Sequence, residues 1–264
     1  MSIGFLGYGN LAKALTRGLC RPGGALSPNE ITVTAHSDAT INAASAAGHD
    51  TCPDAAALFA KCDTVVLAVK PRVFRELAPA LRECITPAHR VVSVMCAVHI
   101  DEIAAALGCP VMRVMPTLAA ADACDILGYT IPDGADFSDL VPLLASLGDA
   151  LPMDEPMLDR LTVAASCGLG FAAHILEAYK RECMALGFDS VQSDAIVRRM
   201  FVYAAECGRD DPHPAPDDSF TALEHRVATR GGATEAGNLA MDADLRRALS
   251  ACFGAAGERA IPRD

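Results

Sequence analysis

The stretch Ile3-Gly-Phe-Leu-Gly-Tyr-Gly-Asn-Leu-Ala-Lys-Ala-Leu15 leaves few folds open. Its apolar start reads as a buried strand and its Ala/Leu-rich end as a helix, with Gly7-x-Gly9-x-x-Ala12 between them. Strand, glycine turn and helix in immediate succession form the dinucleotide-binding fingerprint of a βαβ unit. Gly7 makes the tight turn, Gly9 lets a pyrophosphate reach the backbone, and Ala12 allows helix and strand to pack closely. The first N–H groups of such a helix have no intrahelical acceptor and carry partial positive charge, which suits phosphate oxygens. Gly7, Gly9, Asn10 and Leu11 are therefore predicted cofactor contacts.

A second strand, Ile31–Ala35, ends in His36-Ser37-Asp38. An acidic residue closing this strand binds the ribose 2′-hydroxyl in NAD sites. Here the first acid comes later, so NADP(H) is expected over NAD(H), with His36 and Ser37 as candidate contacts. Asp54–Lys61 and Arg72–Glu83 carry helical patterns, Thr64–Val69 and Val91–Met95 read as strands, and His99–Leu107 is a helix before the strand Val111–Met115. Strands alternating with helices predict a doubly wound parallel sheet of Rossmann type. Ligands of such sheets lie beyond the strand C-termini, so the residues after Leu6, Ala35, Val69, Met95 and Met115 should line one cleft. Arg113, flanked by Met112 and Val114, is expected to brace the sheet through a carboxylate. Tyr129–Pro132 and Ala150–Met153 read as closing strands around a helix over Asp136–Leu147.

After Asp154 the pattern turns helical: Pro156–Leu186, Asp189–Cys207, Phe220–Val227 and a last stretch beyond Gly232, with the polar, proline-bearing Arg209–Asp218 between them. This predicts a dinucleotide-binding domain over 1–154 and an all-α domain over 155–264. A net charge of −11 argues against a nucleic-acid partner. No apolar run of the ~18 residues needed for a membrane span is apparent, so no membrane partner is expected. The chain enters a strand without a secretory signal, and a cytoplasmic location is expected. The eleven cysteines include no C-x-x-C pair and no zinc-type spacing, so free thiols and no metal are expected.

Four segments, Ile3-Gly-Phe-Leu-Gly-x-Gly-Asn-Leu-Ala12, Val66-Leu-Ala-Val-Lys-Pro71, Met112-Arg-Val-Met-Pro116 and Gly231-Gly-Ala-Thr-Glu-Ala-Gly237, resemble the pyrroline-5-carboxylate reductase family in sequence and order. The resemblance implies an N-terminal Rossmann domain, a C-terminal helical dimerisation domain with larger rings as a further state, and reduction of the cyclic imine 1-pyrroline-5-carboxylate to proline with NAD(P)H. It places cofactor contacts at Ala68, Val69, Lys70, Pro71, Met115 and Pro116, with Lys70 as a cofactor-side charge rather than a catalytic amine. Thr234 matches the substrate-contacting threonine, which makes it the candidate catalytic residue. Thr229, Arg230, Gly231, Gly232 and Ala233 are candidate substrate contacts at a helix start suited to a carboxylate. Ser166, Cys167 and Gly168 fall where the family touches substrate or cofactor, and His213 at a structural loop position.

The chain departs from the family pattern at Thr117-Leu118-Ala119, at Ala165-Ser-Cys-Gly-Leu-Gly-Phe171 and at Ala228-Thr229-Arg230, all on the substrate-facing side. Two other readings stay open. One is a dehydrogenase of β-hydroxyacid type, against which Gly168-Leu-Gly170 through His174 offers His where that group has Lys. The other is a dinucleotide-binding protein without turnover.

Overall fold

The computed structural model of the chain describes residues 2–207 and 219–261; the Arg209–Asp218 stretch, with His213, lies outside them. Short β-branched and aliphatic runs, buried on both faces, form β1 (Ile3–Leu6), β2 (Ile31–Thr34), β4 (Thr64–Leu67) and β6 (Val111–Met115), joined by β3 (Asp50–Thr51) and β5 (Arg90–Ser93). These six run parallel. β7 (Asp125–Thr130) pairs antiparallel with β6, and β8 (Gly148–Pro152) lies parallel to β7. The order is β3-β2-β1-β4-β5-β6-β7-β8, which puts the topological switch point between β1 and β4.

One face of the sheet packs α1 (Asn10–Leu19) and α2 (Asp38–Ala46) over Ile3, Phe5, Val33 and Val66. The other packs α3 (Ala55–Lys61), α4 (Pro71–Cys84) and α5 (Ile100–Leu107) over Leu6, Val65, Leu67 and Val91. The helix expected over Asp136–Leu147 shrinks to α6 (Val141–Ala145), which carries Pro142 in its first turn. The expected closing strand at Tyr129–Pro132 starts earlier, at Asp125, and its antiparallel pairing departs from the all-parallel expectation. Asp125 is buried because its carboxylate accepts the Thr117 N–H (2.9 Å) and hydroxyl (2.8 Å). Desolvation still holds this carboxyl above the ordinary aspartate range, with the Thr117 bonds pulling the other way.

The long predicted helix is interrupted. α7 (Glu155–Leu161) passes through a π-helical turn, Thr162–Cys167, into α8 (Gly168–Ala185). Within Glu155–Ala185 an 18-residue window reaches a mean hydropathy of 1.4, so by length and composition alone this helix meets the requirement for a membrane span, against the expectation that no such run is present. By internal packing the chain divides into residues 1–167 with 256–264, and residues 168–255. The second unit holds α8, α9 (Ser190–Glu206), α10 (Ser219–Val227) and most of α11 (Ala233–Ala260). Asp189 and Gln192 start α9 with reciprocal side-chain bonds to each other's backbone N–H, and Tyr179 packs edge-on to Phe201. All eleven cysteines are free; Cys124 is exposed, and burial pushes the Cys109 thiol up to about 11.

Candidate active site

The glycine turn sits at the switch point and is tied to both neighbouring strands. Gly7 N–H donates to Thr34 C=O (2.8 Å) and Ala68 N–H to Leu6 C=O (2.9 Å). Gly7 has φ +98°, and a Cβ there would lie 2.7 Å from the Ala68 carbonyl oxygen. Only glycine allows that approach. Gly9 differs: it is the extended N-cap of α1, no side chain caps the helix, and a Cβ placed on it meets nothing within 4 Å. The backbone is pressed against β4 on one side and open on the other, which fits a dinucleotide pyrophosphate at the uncapped start of α1. Asn10 and Leu11 form the first helical residues beside it.

The other predicted cofactor residues follow strands of the same sheet. His36 is exposed, and Ser37 is the N-cap of α2, its hydroxyl accepting the Thr40 N–H at 3.3 Å. Ala68 and Val69 follow β4; Lys70 is the N-cap of α4, without a side-chain cap bond, and Pro71 opens that helix. Met115 ends β6, and the buried Pro116 accepts a hydrogen bond at its carbonyl from Ser166 Oγ (3.0 Å). That bond ties the π-helical turn to the end of β6. π-turns inside α-helices recur at functional sites, and nothing in the residue pattern of 162–167 announced this one.

Arg113 braces the sheet as expected, and its partners are now visible. Fully buried, it donates to Glu155 Oε1 (3.0 Å) and Asp159 Oδ1 (2.6 Å) on α7. Asp159 is shared with His99 Nε2 (3.0 Å), and Glu155 Oε1 also takes the Ile100 N–H (2.8 Å) at the start of α5. β6, α5 and α7 are thus pinned together just below Met115 and Pro116. The acidic partners were missed because each is a plain carboxylate in a helical pattern.

The substrate-side segment belongs to the second unit. Thr229, Arg230, Gly231, Ala233 and Thr234 are exposed and Gly232 half-buried. Gly231 takes the left-handed conformation (φ +76°), and a Cβ on Gly232 would lie 2.6 Å from Thr229 Oγ1. The expected row of open N–H groups is partly filled. Gly231 N–H donates to the Glu235 carboxylate (2.6 Å) and Gly232 N–H to Thr229 C=O (2.8 Å). Among the described residues the N–H groups of Ala233 and Thr234 and the Thr234 hydroxyl have no protein partner, so the open N–H groups lie one step further into α11 than the start of the expected row. No group of His, Cys, Asp and Glu suited to a metal occurs among the described residues.

A pyrophosphate turn at the switch point of a doubly wound sheet, followed by a helical domain, defines a dinucleotide-dependent oxidoreductase. Residues 2–97 match the family described as NADP oxidoreductase coenzyme F420-dependent, and residues 155–262 match pyrroline-5-carboxylate reductase dimerisation. The chain is 28% identical to the pyrroline-5-carboxylate reductase of Staphylococcus epidermidis, over 99% of this chain and 97% of that one. Its fold is similar to the NADP-bound pyrroline carboxylate reductase of Plasmodium falciparum (TM-score 0.86, 16% identity, 98% and 97% of the two chains covered). It is also similar to the reductase of Coxiella burnetii (TM-score 0.80, 23% identity, 98% and 97% covered). Its second half thus matches the dimerisation domain of the pyrroline-5-carboxylate reductases, and the chain as a whole is similar to such a reductase along nearly all of its length.

Proposed function

We propose that this protein reduces 1-pyrroline-5-carboxylate to L-proline with NADPH. Carrying this reading is the joint presence of the Gly7–Gly9 turn and the Gly231–Thr234 helix start within a chain related along 99% of its length to the staphylococcal reductase. Bound NADPH would supply a hydride to the imine carbon. Gly7, Gly9, Asn10 and Leu11 hold the pyrophosphate. His36 and Ser37 face the 2′-phosphate, and the absence of an acid at the end of β2 keeps repulsion low there. Ala68, Val69, Lys70 and Pro71, with Met115 and Pro116, form the nicotinamide side and exclude water from it.

On the substrate side, the Ala233 and Thr234 N–H groups receive the carboxylate, with Thr229, Gly231 and Gly232 shaping the turn and Arg230 adding positive charge. The Thr234 hydroxyl bonds the ring nitrogen and orients the imine. A protonated imine is already electrophilic, so positioning rather than a strong base carries the chemistry. The division into a cofactor domain over 1–154 and a substrate and dimerisation domain over 155–264 is part of the proposal. It is supported by the start of the dimerisation match at residue 155. We further propose a homodimer through the C-terminal helices, open to larger assemblies, in the cytoplasm. The apolar surface of those helices and the eleven free thiols support these readings.

The test is loss of reduced-nicotinamide absorbance with the five-membered imine, run beside its six-membered piperideine homologue. Turnover of the first, reduced about a hundredfold in kcat by Thr234→Val with KM for NADPH unchanged, is the expected result. Turnover of the six-membered ring alone would move the departures at 117–119, 165–171 and 228–230 into substrate choice. NADPH binding without oxidation of either would overturn the proposal.

A further inference from the structure

A groove of about 550 Å³ runs along the outer side of α1. It starts at Tyr8, in the middle of the glycine turn, and extends toward Arg21 and Pro28, which lie in the connection leading to the start of β2. It therefore leads away from the strand C-termini where the dinucleotide belongs. One wall comes from His49, in the turn between α2 and β3, the other from the turn carrying Asp122.

Its charge is opposite to that of the chain. Against a net charge of −11, the groove gathers Lys13, Arg17, Arg21 and His49 around a single carboxylate, Asp122. Lys13 and Arg17 stand one helical turn apart, close enough to share one small ligand. Lys13 has no ion pair among the described residues and lies 5.8 Å from the Tyr8 ring centre. Arg17 pairs with Asp122 (2.8 Å), but both side chains are about two-thirds or more exposed (71% and 67%), so the bridge is weak and exchangeable. Arg21 donates to the Ser146 carbonyl (3.1 Å), and its Nε has no partner.

His49 is the second sign of a ligand. It is only 7% exposed, packed edge-on to Tyr8, with Nδ1 held 3.1 Å from the Pro28 carbonyl. This contact makes Nδ1 the donor and leaves Nε2 without a protein partner among the described residues. A nearly buried imidazole that is oriented by one bond and left open at the other nitrogen is poised for a ligand.

We propose that this groove is a second ligand site, taking a small anion with two or more negative charges on carboxylate or phosphate groups. Lys13 and Arg17 pair with the charges, and His49 Nε2, the acceptor nitrogen of the ring, takes a hydrogen bond from a protonated oxygen of the anion on the opposite wall. The Tyr8 ring, covered by Lys13 and edged by His49, offers no free face for stacking a base, which selects a compact anion over a nucleotide.

The test titrates the full chain at low salt, by calorimetry, with citrate and with inorganic pyrophosphate, both in saturating NADPH. Saturable binding of one probe per chain is expected, and the preferred probe tells carboxylate from phosphate. The double variant Lys13→Gln/Arg17→Gln should weaken it about tenfold or more while NADPH affinity stays within a factor of about two. Asp122→Asn, which removes the competing carboxylate, should tighten it severalfold, a gain that misfolding does not produce. Absence of saturable binding, or binding that the double variant leaves intact, would overturn the proposal. Binding seen only without NADPH would do the same, because it would report the cofactor's own phosphate positions.

Discussion

In the sheet unit Phe5, Phe59, Phe74 and Phe137 are all fully buried, whereas in the helical unit Phe188, Phe220 and Phe253 stand half-open to solvent. The same contrast runs through the aliphatic residues. Val65, Val91 and Val111 have no exposure, while Val191 and Val202 are mostly exposed. Within the helical unit, α8 and α9 together bury only Cys183, Ser193 and Val197. A sheet covered by helices on both faces closes its own core. The helices of the second unit leave large apolar side chains such as Leu186, Val191, Tyr203 and Leu239 open among their charged residues, and exposed apolar surface is what an association surface presents. One unit closes its own core within the chain; the other leaves much of its apolar side-chain surface open, as the proposed division into a cofactor half and an assembling half requires.

Four substitutions probe that contrast. Arg113→Leu should have the largest effect. It strands the buried Asp159 and Glu155 carboxylates, and urea unfolding should show a loss of about 3–5 kcal/mol. Adding Asp159→Leu should recover part of this; a double variant as unstable as the sum of the two singles would show that the network does not brace the sheet. Gly7→Ala comes next, since it combines a left-handed φ with a 2.7 Å clash on Ala68. It should cost about 2 kcal/mol and weaken NADPH, followed by fluorescence titration, about tenfold, without changing oligomeric state. Unaltered NADPH affinity would remove this turn from the cofactor site.

Val202→Asp should act on the other unit alone. Sedimentation equilibrium is expected to show dimer affinity lowered about tenfold or more, while the sheet unit keeps its denaturant stability. A dimer indifferent to this change would place the association surface elsewhere. The smallest effect belongs to Asp139→Asn, at most about 1 kcal/mol, because the bidentate Arg90–Asp139 pair is partly exposed. The Arg90 hydrogen bonds hold this carboxyl below the ordinary aspartate range. Its contribution is therefore complete at neutral pH and disappears as pH falls below about 4 through the lowered folded pKa. Wild type and variant should converge in acid and separate above it.

Elements with strong local patterns were legible from the residues. β4 announces itself through a β-branched and aliphatic run and β1 and β6 through largely apolar ones, and Pro71 and Pro116 mark where two of them have ended. The bracing role of Arg113 was readable because a cation between Met112 and Val114 in a buried strand requires carboxylates. The antiparallel β7 was shortened in the sequence reading because it begins with an aspartate, whose burial depends on Thr117, eight residues away. α2 was missed because Asp38–Ala46 is alanine-rich and lacks an apolar period. The candidate site was half legible. Its glycines follow from backbone sterics, but the capture of Gly231 N–H by Glu235 depends on a side-chain rotamer, and the π-turn depends on tertiary contact at Pro116.

The thiols have a practical corollary. Burial raises the pKa of Cys20, Cys52, Cys96 and Cys109, which suppresses the thiolate that reacts with maleimides. Cys124 alone among the eleven is exposed, two residues from Asp122 at the rim of the α1 groove. The native chain thus carries its own preferred attachment point for a fluorophore, placed where an arriving anion would change the dye's surroundings.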